Sequence, residues 1–274
     1  MGIDKVKIIV ATHKQYEMPK DEIYLPLHVG AEGKIDAYGH PLDLGYVKDN
    51  TGDNISEKNP YYCELTGLYW AWKNLDYEYL GLVHYRRYFV WKRKSSNRFR
   101  NILNADELHQ LLADCRVIVP KKRCYYIETL YTHYAHTHYA EHLDRTREII
   151  QNKYPQYLKS FDYVMKQRSG YMFNMMITER ALLDQYCRWL FDILFRLEDS
   201  VGIQNLSFYQ GRFYGRVSEI LWNVWLRHQI ESNEIQRNDV RELSCVYMES
   251  IDWKRKIYSF LRAKFMHKRY EGSF

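Results

Sequence analysis

Two segments fix most of what this chain can fold into. Val6 to Ala11 (VKIIVA) and Gly81 to Phe89 (GLVHYRRYF) are short, mostly apolar runs that meet polar side chains: Thr12, His13 and Lys14 follow the first, and His84, Tyr85, Arg86 and Arg87 lie within the second. Apolar runs of this length, without alternation, mark strands buried on both faces, the condition of a parallel sheet covered by helices. In open α/β sheets, ligands bind beyond the carboxyl ends of the strands. Two adjacent guanidinium forks at such an end suit the oxygens of a diphosphate. The plainer alternative is an exposed strand end with solvated arginines.

The surrounding text supports an α/β alternation. From about Gln15 to Asn59 it is rich in turn formers, with Ile23 to Val29 as the best strand within long loops. Asn59 and Pro60 make a helix start, as N-cap and first helical residue, for a helix Tyr61 to Asn74 that is aromatic on nearly every face and therefore buried. Gly67 inside it suits a close approach of backbone or ligand. A strand Tyr79 to Phe89, a basic loop Trp91 to Arg100, a helix Asp106 to Asp114 and a strand Val117 to Pro120 follow. This order predicts a mostly parallel sheet in the N-terminal half. The second half reads as helices over Glu128 to Tyr154, Thr178 to Glu198 and Arg212 to His228, interrupted by one strand, Tyr171 to Ile177, with Asn174 in its middle.

Length and composition exclude several classes. A chain of 274 residues buries a sizeable core without staples, and five scattered cysteines lacking any C-x-x-C spacing indicate neither a disulfide framework nor structural zinc. A reducing cytosol is the expected home. No apolar run approaches the roughly 20 residues needed to cross a bilayer, and Met1 to Val10 is too short and polar for a signal peptide. The net charge of +6 is compatible with an anionic ligand, a membrane surface or nucleic acid. The 26 tyrosines offer flat faces with hydroxyls, suited to sugars and nucleobases. Trp253 to Tyr270 carries seven Lys or Arg and no acid, with Trp253, Ile257, Phe260, Leu261 and Phe265 at helical spacing. That is a basic amphipathic helix, which either lies on an anionic membrane or docks on its own domain.

Two further clusters carry chemistry. His133, His136, His138 and His142 fall within ten residues, and the last two, four apart, would share a helix face, but the H-E-x-x-H pattern is incomplete. A polar face toward a substrate cleft fits better than zinc. Arg212, Arg216, Ser218 and Glu219 lie on an otherwise apolar helix, where Glu219 is within reach of either arginine. The alternatives there are a surface ion pair and a carboxylate held as a general base. No P-loop, dinucleotide-binding G-x-G-x-x-G or G-x-S-x-G elbow occurs, so a diphosphate site must rely on cationic side chains or a metal.

Five blocks taken together, ELTGLYWAWKN (Glu64 to Asn74), GLVHYRRYF, YMFNMMI (Tyr171 to Ile177), YCRWLFDIL (Tyr186 to Leu194) and RFYGRVSEILWNVWL (Arg212 to Leu226), resemble a bacterial capsular and exopolysaccharide glycosyltransferase family long filed as a domain of unknown function. The resemblance implies an α/β, GT-A-like fold: one domain over residues 1–250 with a mostly parallel sheet and a helix-rich part from about residue 128, then a basic tail over 251–274. It also implies transfer of a hexosyl unit, galactofuranosyl in some members, from a UDP-sugar to a lipid-linked capsular, exopolysaccharide or O-antigen acceptor. Wider GT-A enzymes hold a divalent metal through Asp-x-Asp. This chain reads His84-Tyr85-Arg86-Arg87 at that position, so no cofactor is expected, although His84 with carboxylates of the Asp49 to Asp53 loop offers an alternative Mn²⁺ or Mg²⁺ site.

The expected roles follow from that reading. Thr12, His13, Arg86, Arg87 and Arg212 would meet nucleotide or diphosphate, and His84 and Tyr85 the donor sugar. Trp70, Trp72, Lys73, Asn174 and Ser218 would shape the sugar pocket. Glu219 is the first candidate base and Glu64 the second, and a base of this kind implies an inverting single displacement. The expected location is cytoplasmic, peripheral on the inner face of the plasma membrane through the tail. The rival classes are a nucleic-acid-binding protein, which lacks any recognised module, and a noncatalytic partner in polysaccharide assembly.

Overall fold

The computed structural model describes residues 5–202, 206–250 and 252–266. In chain order the elements are β1 (Val6–Thr12), β2 (Tyr24–His28), β3 (Val47–Lys48), α1 (Asn59–Tyr62), α2 (Leu65–Asn74), β4 (Tyr79–His84), β5 (Arg87–Val90), α3 (Ala105–Leu112), β6 (Val117–Pro120) and β7 (Arg123–Cys124). There follow α4 (Leu130–Thr137), α5 (Glu141–Lys153), α6 (Leu158–Met165), β8 (Ser169–Gly170), β9 (Met176–Glu179), α7 (Arg180–Ser200), α8 (Phe208–Gly211), α9 (Phe213–Glu231), β10 (Val240–Tyr247) and α10 (Trp253–Met266). The chain forms two compact units. The first is made of residues 1–121, 173–187 and 236–249, the second of 122–172, 188–235 and 250–274.

The first unit holds an eight-stranded mixed sheet. β3, β2, β1 and β4 run parallel side by side, as the apolar runs predict, and β10 lies parallel to β6. The remaining pairings, of β4 with β5 and β9, β5 with β10 and β6 with β9, are antiparallel. β1 is covered on both faces. Ile8 and Val10 join the core of Leu108 and Leu111 from α3, while Ile9 lies toward α2. Gly67 lets α2 sit close on the other face, because a Cβ there would fall 2.7 Å from Val29 and 3.0 Å from Leu27. α3 is fixed at its start by a reciprocal Asn104–Glu107 cap.

Several sequence expectations change. The helix from Tyr61 to Asn74 is broken into α1 and α2 by Cys63, whose φ of 56° leaves the helical region, and Asn59 sits inside α1 with its amide on Cys63 O rather than acting as N-cap. The strand Tyr79 to Phe89 is a hairpin: β4 ends at His84, Tyr85 and Arg86 make the turn, and Arg87 pairs back onto His84. Tyr171 to Ile177 is strand only from Met176, because Phe173 and Asn174 adopt φ of 78° and 52°. β10, with exposed Arg241, Glu242 and Ser244 around its buried Leu243, lacks a strand-like pattern and is not expected from the sequence.

The second unit is helical, with a small β7–β8 hairpin. The expected helix Glu128 to Tyr154 is two helices, since His138 takes an extended conformation between α4 and α5. His138 and His142 therefore do not share a helix face. α10 packs on α4, where the Phe260 ring lies 5.6 Å from that of His133 and Ala263 is buried. Residues 267–274, the rest of the expected basic tail, lie outside the described residues. Among the described residues no helix is long and apolar enough to cross a membrane.

Candidate functional site

The carboxyl ends of β1 and β4 lie side by side, with Ala11 paired to His84 and Tyr85 N–H donating to Ala11 O at 3.2 Å. Beyond β1, the Thr12 hydroxyl donates to Lys14 O at 2.6 Å and accepts from Lys14 N–H at 3.3 Å. Thr12 is buried, and these two bonds shape the turn. The turn brings the Lys14 ammonium over the rings of Tyr85 (5.0 Å) and Tyr16 (5.5 Å). The His13 ring meets the Tyr85 ring edge-on at 5.5 Å.

Arg86 stands on the hairpin turn beside them. Its guanidinium lies 5.8 Å from the Tyr85 ring centre and 3.5 Å from Glu249, whose other oxygen is 3.7 Å from Lys14 Nζ. Both contacts are long for charge-assisted bonds, and all three side chains are 41–48% exposed. Two cations thus share one loosely held carboxylate at the strand ends. Burial and the nearby Glu249 carboxylate push the Tyr16 hydroxyl pKa up.

Arg87 is placed differently. Its guanidinium is 3.7 Å from the Phe173 ring centre and 4.9 Å from that of Tyr247, held between two aromatic faces. The adjacent guanidinium pair expected from sequence is therefore split by the hairpin: Arg86 points to the Lys14 group and Arg87 packs beneath the Phe173 turn.

That turn completes a second group. β9 pairs with β4 only as far as Leu82, opposite Met176, and the chain before it turns away through Asn174 and Phe173. His84 Nε2–H donates to Phe173 O at 2.6 Å, which fixes its tautomer. Asn174, buried, donates its amide to Glu64 Oε1 at 2.7 Å. Burial holds the His84 pKa below the usual range. The Glu64 carboxylate opposes that effect, and the Arg87 and Arg86 guanidinium groups reinforce it. A neutral imidazole, a carboxylate and a carboxamide thus converge where β4 ends.

Other expected residues are spent elsewhere. Trp70 N–H donates to Thr51 and Trp72 N–H to Asp184, while Lys73 lies over the Trp72 ring and beside Asp53. None of these partners belongs to the His84 group, so Trp70, Trp72 and Lys73 fasten α2 in place. Asp49 is fully buried and accepts from Gly30 N–H (2.8 Å), Ala31 N–H (3.1 Å), Thr66 Oγ (2.6 Å) and Ser56 Oγ. Asp53 accepts from Tyr69 OH at 3.1 Å. The Asp49 and Asp53 carboxylates therefore brace loops. Among the described residues no three His, Cys, Asp or Glu side chains converge on a point where a metal ion fits.

Arg212, Ser218 and Glu219 belong to the second unit. Ser218, buried, donates within α9 to Gly215 O at 2.8 Å. Arg216 lies over the Tyr209 ring at 4.1 Å and 3.4 Å from His138 Nδ1, which donates to Gln210 Oε1 at 2.9 Å. Of the histidines, His133 and His136 both bind the buried Glu128 carboxylate, at 2.8 and 2.5 Å, and His142 is stacked on Phe213. Sequence reasoning missed Tyr16, Phe173, Tyr247 and Glu249 as parts of the site. Lys14 carried a signal, following a strand end directly; Glu249, 163 residues from Arg86, carried none.

The chain belongs to the family described as Domain of unknown function (DUF4422), which matches residues 7–230. No curated protein matches it. Among solved structures, the apo form of WbbM, described as a bifunctional glycosyltransferase, matches with a TM-score of 0.81 and 28% sequence identity over 90% of this chain. The match covers 46% of that protein, so the chain spans about half the length of the structure it resembles. The mixed α/β fold is GT-A-like.

Proposed function

We propose that this chain is a glycosyltransferase that moves a hexosyl unit, with galactofuranosyl as the first donor to test, from a UDP-sugar to a lipid-linked capsular, exopolysaccharide or O-antigen acceptor. The observation that carries the reading is the placing of two groups, Lys14 with Arg86 and His84 with Glu64 and Asn174, at the neighbouring ends of β1 and β4, in a fold shared with half of a known glycosyltransferase. α/β sheets bind ligands at this edge.

In this reading the Lys14 ammonium and the Arg86 guanidinium grip the diphosphate, the diphosphate oxygens taking the place of the Glu249 carboxylate. Arg87, fixed between Phe173 and Tyr247, holds the turn that carries Asn174. His84 lines the donor sugar. Glu64, oriented by Asn174, is the base, since it lies in the same group as His84, whereas Glu219 belongs to the other unit.

The chemistry is a single displacement. The acceptor hydroxyl oxygen forms a bond to the anomeric carbon as the bond from that carbon to the β-phosphate oxygen breaks. The hydroxyl proton passes to Glu64, and the electron pair leaves with UDP. Attack opposite the leaving group inverts the anomeric centre. Cations aimed at the developing negative charge are worth several kcal/mol in such steps.

The test is a thermal-shift series with UDP, UDP-hexoses and UDP-galactofuranose, each with and without Mn²⁺, followed by assay of UDP release. A ligand that binds only the folded state raises Tm by mass action. Stabilisation by uridine diphosphates, absent with uridine, supports the reading. A chain unmoved by any nucleotide or nucleotide sugar overturns it.

A further inference from the structure

The second unit carries a surface that the transfer reaction does not use. α10 buries Ala263 and turns Phe260 onto His133, leaving Tyr258, Leu261 and Phe265 outward, 61%, 41% and 66% exposed. These three are spaced at three and four residues and form one stripe. Beside them is the loop at 126–127, where Tyr126 is 79% and Ile127 53% exposed. The two elements are tied together, because Lys264 Nζ donates to Ile127 O at 3.1 Å.

The loop is held in its outward pose. Tyr126 has φ of 53°, a left-handed conformation that costs a non-glycine residue about 1–2 kcal/mol. Arg168 donates to Tyr126 O at 3.1 Å, and Tyr125 N–H donates to Arg168 O at 2.8 Å. A loop that only had to reach across solvent would not need an aromatic side chain fixed at a strained position.

Cations lie beside the outward rings and the loop. Arg262 lies 5.6 Å from the Tyr258 ring, Lys264 5.7 Å from the Phe265 ring, and Arg168 binds the Tyr126 carbonyl. The sequence of α10 contains Lys254, Arg255, Lys256, Arg262 and Lys264 and no acid. An apolar stripe among cations, with aromatic rings at its margin, matches the interface of an anionic bilayer, where chains enter the acyl boundary and cations meet phosphate headgroups. A second copy of this face would bring like charges together.

We infer that the loop at 126–127 and the outward face of α10 form one docking surface for an anionic lipid bilayer. A tail alone would tether the protein loosely. Two elements joined at Lys264 and Ile127 set its orientation against the membrane. The docking stands without the proposed function, on which only its purpose, access to a lipid-linked acceptor, rests.

The test is co-sedimentation of the full chain with vesicles of phosphatidylcholine alone or mixed with phosphatidylglycerol, at low and high salt, with an RNA oligonucleotide run in parallel. The expected result is binding to the mixed vesicles only, weakened by salt. The pair Tyr126→Ser and Ile127→Ser, and separately Leu261→Ser and Phe265→Ser, each lower the partition about tenfold or more, from the apolar area withdrawn. These positions are exposed, and an unchanged melting curve and an unchanged UDP-induced shift confirm that fold and donor site survive. Failure of the UDP shift in the parent chain would count against the transferase reading and leave the vesicle result standing. Equal binding to both vesicles, retention of binding by the 126–127 pair, or binding to RNA in place of vesicles overturns the inference.

Discussion

The Asn174 amide donates to the Glu64 carboxylate at 2.7 Å across 110 residues of chain, joining the start of α2 to the turn before β9. Asn174 holds φ of 52°, a conformation that asparagine tolerates better than most residues. The bond leaves one face of the carboxylate oriented beside neutral His84. Removing a general base lowers rates by about 10²–10⁴. Glu64→Gln keeps the partner amide bonded and should lower kcat by that order while KM for the donor stays within a few-fold. An activity near that of the parent would remove Glu64 from the mechanism.

Arg86 and Arg87 should separate in their effects. Arg86 is half exposed and its ion pair with Glu249 is long, so Arg86→Ala should leave Tm unchanged and weaken UDP binding about tenfold to a hundredfold, a loss of about 1.5–3 kcal/mol for one charge-assisted contact. Arg87 lies between Phe173 and Tyr247, so Arg87→Ala should lower Tm as well as activity, and Arg87→Lys should not restore the stacking. Calorimetric titration with UDP beside thermal melts checks both. If Arg86→Ala lowers Tm and leaves UDP affinity alone, the two assignments are reversed.

The sheet edge was legible because buried strands declare themselves locally. Val6 to Ala11 and Val117 to Pro120 need only their own apolar side chains to be recognised, and β6 matches its expected bounds. The hairpin at Tyr85 and Arg86 was hidden because no Gly, Pro, Asn or Asp marks its turn. β10 was hidden because its alternation is imperfect and its partners β5 and β6 are far away in sequence. Among site residues, His84, Arg86 and Glu64 stood beside recognisable elements. Glu249 and Phe173 acquire a role only when the chain is closed, and Trp70 and Trp72, which look like a sugar platform in sequence, are drawn into fastening α2.

Asp49 is the residue whose loss should damage the first unit most without touching the proposed chemistry. Four donors, two of them backbone N–H groups at Gly30 and Ala31, converge on a carboxylate with no solvent exposure. Asp49→Ala leaves those donors buried without an acceptor, at about 1–3 kcal/mol for each that stays unsatisfied. A total of roughly 3–5 kcal/mol is expected after partial relaxation, read as a lower urea midpoint at unchanged m-value. Added Mn²⁺ should not restore it. Restoration by the metal would mean that the loop is a cation site after all.

Acid should weaken the second unit through its buried imidazoles. Burial, with the Arg216 guanidinium nearby, lowers the His142 pKa from 6.5 to about 4, and the same two causes hold that of His138 well below its usual range. The folded state therefore resists protonation that the unfolded chain accepts. Between pH 6.5 and 4 the unfolded state binds more protons, so stability is full above 6.5 and falls as pH drops through that window. For His142 alone the loss amounts to about 3 kcal/mol at the acid end. His142→Phe keeps the ring stacked 3.7 Å from Phe213 but deprives the Tyr134 hydroxyl of its partner at Nδ1. The variant should be less stable than the parent at neutral pH by about 1–3 kcal/mol and lose less on acidification, with a slope shallower by about one proton. Urea midpoints measured from pH 7 to pH 4 decide it: parallel curves for parent and variant would show that His142 does not carry the acid sensitivity.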